Sequence, residues 1–199
     1  MKNKVMAAYL LANPKKAIAV TVEGERISLK LPMPAPDPIA SVIALRIEGE
    51  PAPVPVPSLG RRGRASSFFG PEFGSEKAFD GDHETYWRAA AGQHSGWLEV
   101  TLAKPSSIGC VTLMEGWENQ SHTRRFRLEY RDGGQWKTIF EGTRIGRALS
   151  RAFDSVTAQV FRLNILEAAD APQIEECGCL LTNRKRRVRN CRAASLPFT

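Results

Sequence analysis

The 199-residue chain is 42% hydrophobic and 25% charged, the balance of a globular protein with room for one large or two small cores. No apolar run approaches the ~18 residues of a membrane-spanning helix, so no transmembrane segment is expected. The net charge of +7 invites a nucleic-acid reading, but six of the positive residues stand in RKRRVRNCR at 184–192 and the remainder carries only +1. That distribution describes a solvated basic end at 182–199, not a specific nucleic-acid surface.

The chain opens on MKNKVMAAYLLANPKK. Its apolar run VMAAYLLA is short for a signal peptide and leads to no cleavage site, so it reads as a strand. Short alternating runs then recur between turn signals: VMAAYLL, KAIAVTVE, RISLKLP and SVIALRIEGE predict four strands in residues 1–50. Four strands cannot close a two-sheet sandwich, so this module is expected to be the end of a larger domain. PAPVPVPSLG (51–60) places prolines at alternate positions, where they cannot donate to a ladder, and predicts a linker.

Past the linker, WLEVTL, IGCVTLME, RRFRLEYR, QWKTIFEG and QVFRLNIL predict five strands. RLEYRDGGQWKTI reads as a hairpin whose Asp-Gly-Gly turn supplies positive φ angles. The class is all-β: a partial sandwich of about four strands, then a jelly-roll sandwich over 61–181. Of the four cysteines, Cys177 and Cys179 lie two apart on one face of a strand, where they cannot bridge each other. Without a second pair or a spaced histidine they read as buried free thiols.

The densest chemistry is EKAFDGDHETYWRA (76–89). Glycoside hydrolysis requires two carboxyl groups facing each other across a sugar, and one turn bearing Asp80, Asp82 and Glu84 has no opposing acid. A tight Asp-Gly-Asp turn can gather hard oxygen ligands for calcium, or it can be a plain Asx turn. Neither a P-loop nor a Ser-His-Asp set is present in GTRIG, GRRGR or elsewhere. Trp87 alternates into the sandwich, and Trp97 and Trp136 read as core or interface. SSFFGPEFG, with Phe68, Phe69 and Phe73, is expected to cover the base of the sandwich.

AFDGDHETYW, GWLEVTL, RRFRLEYRDGGQW and RLNILEAADAPQIEE resemble the coagulation factor 5/8 type C (discoidin) domain, a fold shared with carbohydrate-binding modules. The first module, with APDPIASVIALRIEGEP, and the later GTRIGRA resemble the C-terminal region of bacterial α-L-fucosidases of glycoside hydrolase family 29. The resemblance covers about nine-tenths of the chain and stops near Leu181. It implies a non-catalytic, carbohydrate-binding part of such an enzyme, because the family's catalytic barrel and its carboxylates match no position here. The parent would be secreted or periplasmic. The partners would be fucosylated or galactosylated glycans and the parent's catalytic barrel.

The resemblance also implies a structural Ca2+ held by the Lys77 carbonyl, Asp80, the Asp82 carbonyl, Thr85, Glu176 and the Glu175 carbonyl. For sugar, the ring needs an aromatic face and its hydroxyls need planar polar groups. The loop EGWENQSHTRR offers Glu115, Trp117, Asn119, His122 and Arg124, with Trp117 as the stacking platform. TYWRAAAGQHSG adds Arg88 and His94. The competing readings are a structural module packed on the missing barrel, with Trp117 in the interface, and a protein- or membrane-adhesion domain using Phe68 and Phe69.

Overall fold

The computed structural model of the chain describes residues 3–23, 26–37, 39–52, 55–115 and 121–181. The chain divides into two compact units between residues 54 and 55. The basic stretch 184–192, Cys191, and the loop residues Trp117 and Asn119 lie outside the described residues.

Among the described residues, the first unit contains five strands where the sequence predicts four. They are β1 (Val5–Leu10), β2 (Asn13–Ala17), β3 (Ala19–Glu23), β4 (Arg26–Lys30) and β5 (Ile43–Ile47). KAIAVTVE is split at Ile18, whose amide donates to the Ala8 carbonyl at 2.7 Å. Lys16 and Ala17 thus belong to a strand that turns back on β1, while β3 starts a separate hairpin with β4. The sheet order is β2-β1-β5. Among the described residues of this unit, Ala8, Leu10 and Ile18 are the buried hydrophobic ones, while Met33 and Ile39 are 90% and 94% exposed. Three buried side chains are a small core for five strands.

In the second unit, β6 (Gly63–Ala65) and β7 (Trp87–Arg88) precede β8 (Gly96–Met114), β9 (Thr123–Asp132) and β10 (Gln135–Gly142). β11 (Leu149–Ala168), β12 (Gln173–Ile174) and β13 (Glu176–Leu181) follow. Two strands expected as separate, WLEVTL and IGCVTLME, are the ends of the single strand β8. β11 begins ten residues before the predicted QVFRLNIL, and the strand expected to carry Cys177 and Cys179 is β13.

β8 and β11 run antiparallel along their whole length, with register shifts between Ala152 and Val156 and between Ala158 and Val160. The shifts matter because a one-residue slip reverses which face a side chain meets. Leu98, Val100 and Leu102 point inward on one arm of β8, while Val111 and Leu113 do so on the other. The first arm pairs with the Phe161–Ile165 end of β11, and that end pairs with β9 and on to β10. The second arm pairs with the start of β11 and with β13. The strands thus form the jelly-roll β-sandwich that the alternation implied.

The core is one cluster around Phe79, Trp87, Phe126, Leu128, Phe161 and Ile174. Trp87 is fully buried and donates its indole N–H to the Ser67 carbonyl at 2.9 Å. Of the two places expected for Trp97 and Trp136, core or interface, the core is excluded. Each is only half-buried, because positions 97 and 136 alternate onto the outer face of the sheet. There the Arg162 guanidinium stacks 3.9 Å from the centroid of Trp136 and pairs with Glu129 at 2.7 Å.

The hairpin forms as predicted: Gly133 and Gly134 take φ of 54° and 89°, and Gln135 pairs with Asp132. Cys177 and Cys179 are buried free thiols, and burial pushes Cys179 up to about 12, outside the reactive range. β13 is closed off by Ser58, which donates its hydroxyl to the Cys177 carbonyl and accepts the Cys179 amide.

Gly142 is a packing glycine. A Cβ there would lie 2.5 Å from Phe126 Cε1 and Cζ, inside the core. Gly142→Ala is expected to cost about 1–3 kcal/mol, read as a lower midpoint in urea. An unchanged midpoint would mean that Phe126 moves aside freely.

Candidate functional site

Two loop systems carry the predicted residues. The first begins with the short 3-10 turn Ser75–Ala78, pinned by Ala78 and Phe79 in the core. The next residues wind tightly because side chains accept their own downstream amides. The Asp82 amide donates to Asp80 Oδ1 at 3.0 Å, and the Glu84 amide to Asp82 Oδ1 at 2.9 Å. Gly81 sits at φ 78°, a conformation that L side chains rarely adopt. Thr85 donates its hydroxyl to Asp80 Oδ2 at 2.8 Å and lies 3.3 Å from the Asp82 carbonyl. Lys77 Nζ stands 3.9 Å from Asp80 Oδ2.

Glu176, at the start of β13, reaches this loop across 95 residues of sequence and accepts the Gly81 amide on Oε1 at 3.2 Å. Its Oε2 is buried with no hydrogen-bond partner. Burial, with the nearby carboxylates of Asp80 and Glu175 adding to it, pushes the Glu176 carboxyl up to about 7. The Glu175 side chain turns the other way and meets His83 Nδ1 at 2.8 Å.

Among the described residues, no three His, Cys, Asp or Glu side chains form a metal-holding group. The set implied from sequence is of another kind, with two carboxylates, a hydroxyl and backbone carbonyls. An enclosed carboxylate oxygen lacking a donor, beside a second carboxylate and a turn rich in carbonyls, fits a hard oxygen-seeking cation.

The second system lies where β7, β9, β11 and β12 end. The 168–170 segment is its hub. The Ala168 amide donates to the His94 carbonyl and the Ala169 amide to the His122 carbonyl, each at 2.8 Å. His94 Nδ1 also lies 3.1 Å from the Ala168 carbonyl, while Arg88 Nη2 stands 3.9 Å from Asp170 Oδ2. The loops bearing Arg88, His94 and His122 are thereby fixed beside one another. Arg124 is exposed and donates to the Ser121 carbonyl at 2.8 Å.

Glu115 is placed differently from the role expected of it. It is 3% exposed. One oxygen accepts the Thr123 amide at 2.7 Å, and the other accepts the Ser121 hydroxyl at 2.5 Å and the Gly146 amide at 2.8 Å. Three of its acceptor positions serve the backbone and Ser121, so it ties two loops together, and its burial keeps it from a ligand.

Phe69 joins the cluster without a sequence signal. The Arg88 guanidinium lies 5.1 Å from the centroid of its ring, and Phe69 is 51% exposed. Phe68 beside it is 55% exposed, so the two rings do not cover the base of the sandwich as expected. The bond from the Phe69 amide to the Arg88 carbonyl, 2.9 Å long, and those that Ser67 accepts from the Trp87 indole and the Ala90 amide bring these positions together. No spacing pattern encodes that contact.

The F5/8 type C domain family model matches residues 63–177, more than half of the chain. The chain belongs to the F5/8 type C domain family. No curated protein matches it. Among solved structures, it is similar to chitosan-binding module 1 of a Paenibacillus chitosanase/glucanase, with 22% identity and a TM-score of 0.59. That alignment covers 64% of this chain and 98% of the module. The family 32 carbohydrate-binding module of Clostridium perfringens NanJ, solved with galactose, is 16% identical at TM-score 0.57 over 63% of this chain and 97% of the module. A variant of a Ruminococcus gnavus GH29 fucosidase, solved with fucose, is 25% identical at TM-score 0.57 over 63% of this chain. The match spans 26% of that enzyme. The first two likenesses concern fold alone.

Proposed function

We propose that this F5/8 type C chain is the non-catalytic, glycan-binding region of an α-L-fucosidase-type glycoside hydrolase. It would hold the parent's catalytic barrel near fucose- or galactose-containing glycans, in a secreted or periplasmic setting. The observation that carries the reading is the cluster at the end of the sandwich. Arg88 stacks on exposed Phe69, and His94 and His122 are fixed beside them through residues 168–170. A planar cation with donors at its edge suits sugar hydroxyls, and an exposed aromatic ring suits the C–H face of the sugar. The Arg88 side chain is 32% exposed, so part of it stays open to a ligand. The likeness to part of a fucosidase solved with fucose agrees with this choice of ligand class. A Ca2+ ion between the 77–85 loop and Glu176 would lock that loop to β13 and have a structural role.

Isothermal titration with L-fucose, D-galactose and fucosylated oligosaccharides tests the reading. Arg88→Ala and Phe69→Ala are each expected to weaken binding about tenfold or more with melting unchanged, and Trp117→Ala tests the stacking residue expected from sequence. Native protein that is folded and calcium-loaded yet gives no heat at millimolar ligand would remove the glycan reading. The exposure of Phe68 and Phe69 favours one rival, adhesion to a lipid surface. Vesicle binding that disappears in the double Phe→Ala variant and is indifferent to Arg88 would establish it.

A further inference from the structure

We infer that the outer face of the β8–β11 sheet carries a second saccharide site, a shallow groove suited to a neutral sugar and separate from the loop-end cluster. The groove encloses about 460 Å³ and is lined chiefly by Ser66, Ser67, Gln93, Ser95, Trp97 and Asn164. That volume lies within the range of small-molecule sites. None of these side chains is charged, so a phosphate or carboxylate ligand finds no counter-charge. The lining is too polar for a lipid tail. Hydroxyls and amides around one indole match a ring that has O–H groups on its rim and C–H groups on its face.

The polar groups keep capacity to spare. Ser66 Oγ accepts the Trp97 amide and Ser67 Oγ accepts the Ala90 amide, each at 3.1 Å, which leaves both hydroxyl hydrogens available. Asn164 gives its NH2 to Glu129 Oε2 at 3.3 Å, so its carbonyl oxygen is open. Gln93 and Ser95 are exposed.

The frame is also fixed before any ligand arrives. Trp97 and Asn164 are cross-strand partners, and the Ser66 amide donates to the Trp97 carbonyl at 3.0 Å. Glu129, which orients Asn164, is itself held by Arg162. Rigid lining reduces the ordering cost of binding.

The two sites draw on the same two segments, 66–69 and 93–95, but use different residues of each. His94 turns to the Ala168 carbonyl, while its neighbours Gln93 and Ser95 line the groove. One module could thus hold two points of a branched or repeating glycan, and a second weak contact on the same chain raises overall avidity.

The test is NMR titration of the 15N-labelled full chain with D-galactose, L-fucose and 2′-fucosyllactose, in native and Arg88→Ala forms. The reporters are the Trp97 indole N–H, assigned through Trp97→Phe, and the side-chain NH2 groups of Gln93 and Asn164. Saturable shifts are expected in both proteins at millimolar ligand. The combined Gln93→Ala/Asn164→Ala variant, checked for an unchanged fold by its amide spectrum, should bind at least about fivefold more weakly. No saturable shift at these reporters up to about 50 mM overturns the second site. So do shifts that vanish in Arg88→Ala or that are indifferent to the Gln93/Asn164 change. Loss of the groove signals with loop-end shifts retained leaves the first site standing, whereas silence at both ends removes both.

Discussion

Replacing Glu115 by alanine should lower the melting temperature by about 6–12 °C, the equivalent of about 3 kcal/mol for a chain of this size. The carboxylate is buried and accepts three hydrogen bonds. Its removal strands the Thr123 and Gly146 amides and the Ser121 hydroxyl, and each unsatisfied buried donor costs about 1–3 kcal/mol. The sum is held below full additivity because the loops can relax toward water. Glu115→Gln keeps one acceptor but turns an NH2 toward donors, so an intermediate loss is expected. Glycan affinity should fall with stability in both variants, because the bonds Glu115 makes set the positions of the loop ending at Thr123 and of the loop at Gly146. A melting curve within about 1 °C of native would show that the tie contributes nothing, and would detach the loops' geometry from this residue.

Calcium should raise the melting temperature of the native chain, and Glu176→Gln should abolish most of that rise. At a hundredfold excess over the dissociation constant, binding to the folded state adds about 2.7 kcal/mol, or roughly 5–11 °C here. Asp80→Asn should reduce the rise as well. The pH dependence has a definite sign. The Glu176 carboxyl is raised from 4.5 to about 7 in the folded chain. Without metal its contribution favours the folded state below pH 4.5 and is lost as pH climbs through 7, because ionisation then places a charge at a site that resists it. For a fully enclosed group that span would be worth about 3 kcal/mol, and partial exposure to solvent reduces it to about half. Calcium requires the ionised carboxylate, so its stabilising effect should be larger at pH 8 than at pH 5.5. Differential scanning fluorimetry with calcium or chelator at both pH values makes the comparison. An equal response at both, or none at either, would sink the assignment.

The alternation of Leu98, Val100 and Leu102, and of Phe161, Leu163 and Ile165, was legible because a strand repeats every two residues and one face is buried. The Asp-Gly-Gly hairpin was legible for a similar reason, since its turn chemistry is local. The limits of β13 were less legible, because ECGCLL is short and its glycine and charge interrupt the alternation. The first strands β2 and β3 were merged because the break at Ile18 is a hydrogen-bonding choice, not a compositional one.

Among candidate site residues, local chemistry in the sequence pointed to the Asp80-Gly81-Asp82 turn, to Arg88 and to the polar loops. It misread Glu115, since a glutamate at the end of a strand looks the same whether it faces solvent or caps buried amides. Phe69 against Arg88, Glu176 against Gly81, and Asn164 beside Trp97 are contacts across 19, 95 and 67 residues of sequence. The sequence by itself determined which short segments are strands and which turns can wind tightly, because those depend on neighbours one to four residues away. Only the tertiary structure decided which side chains share a surface, because strand pairing and register are settled by burial of the whole core, and a slip of one residue would send each of them to the opposite face.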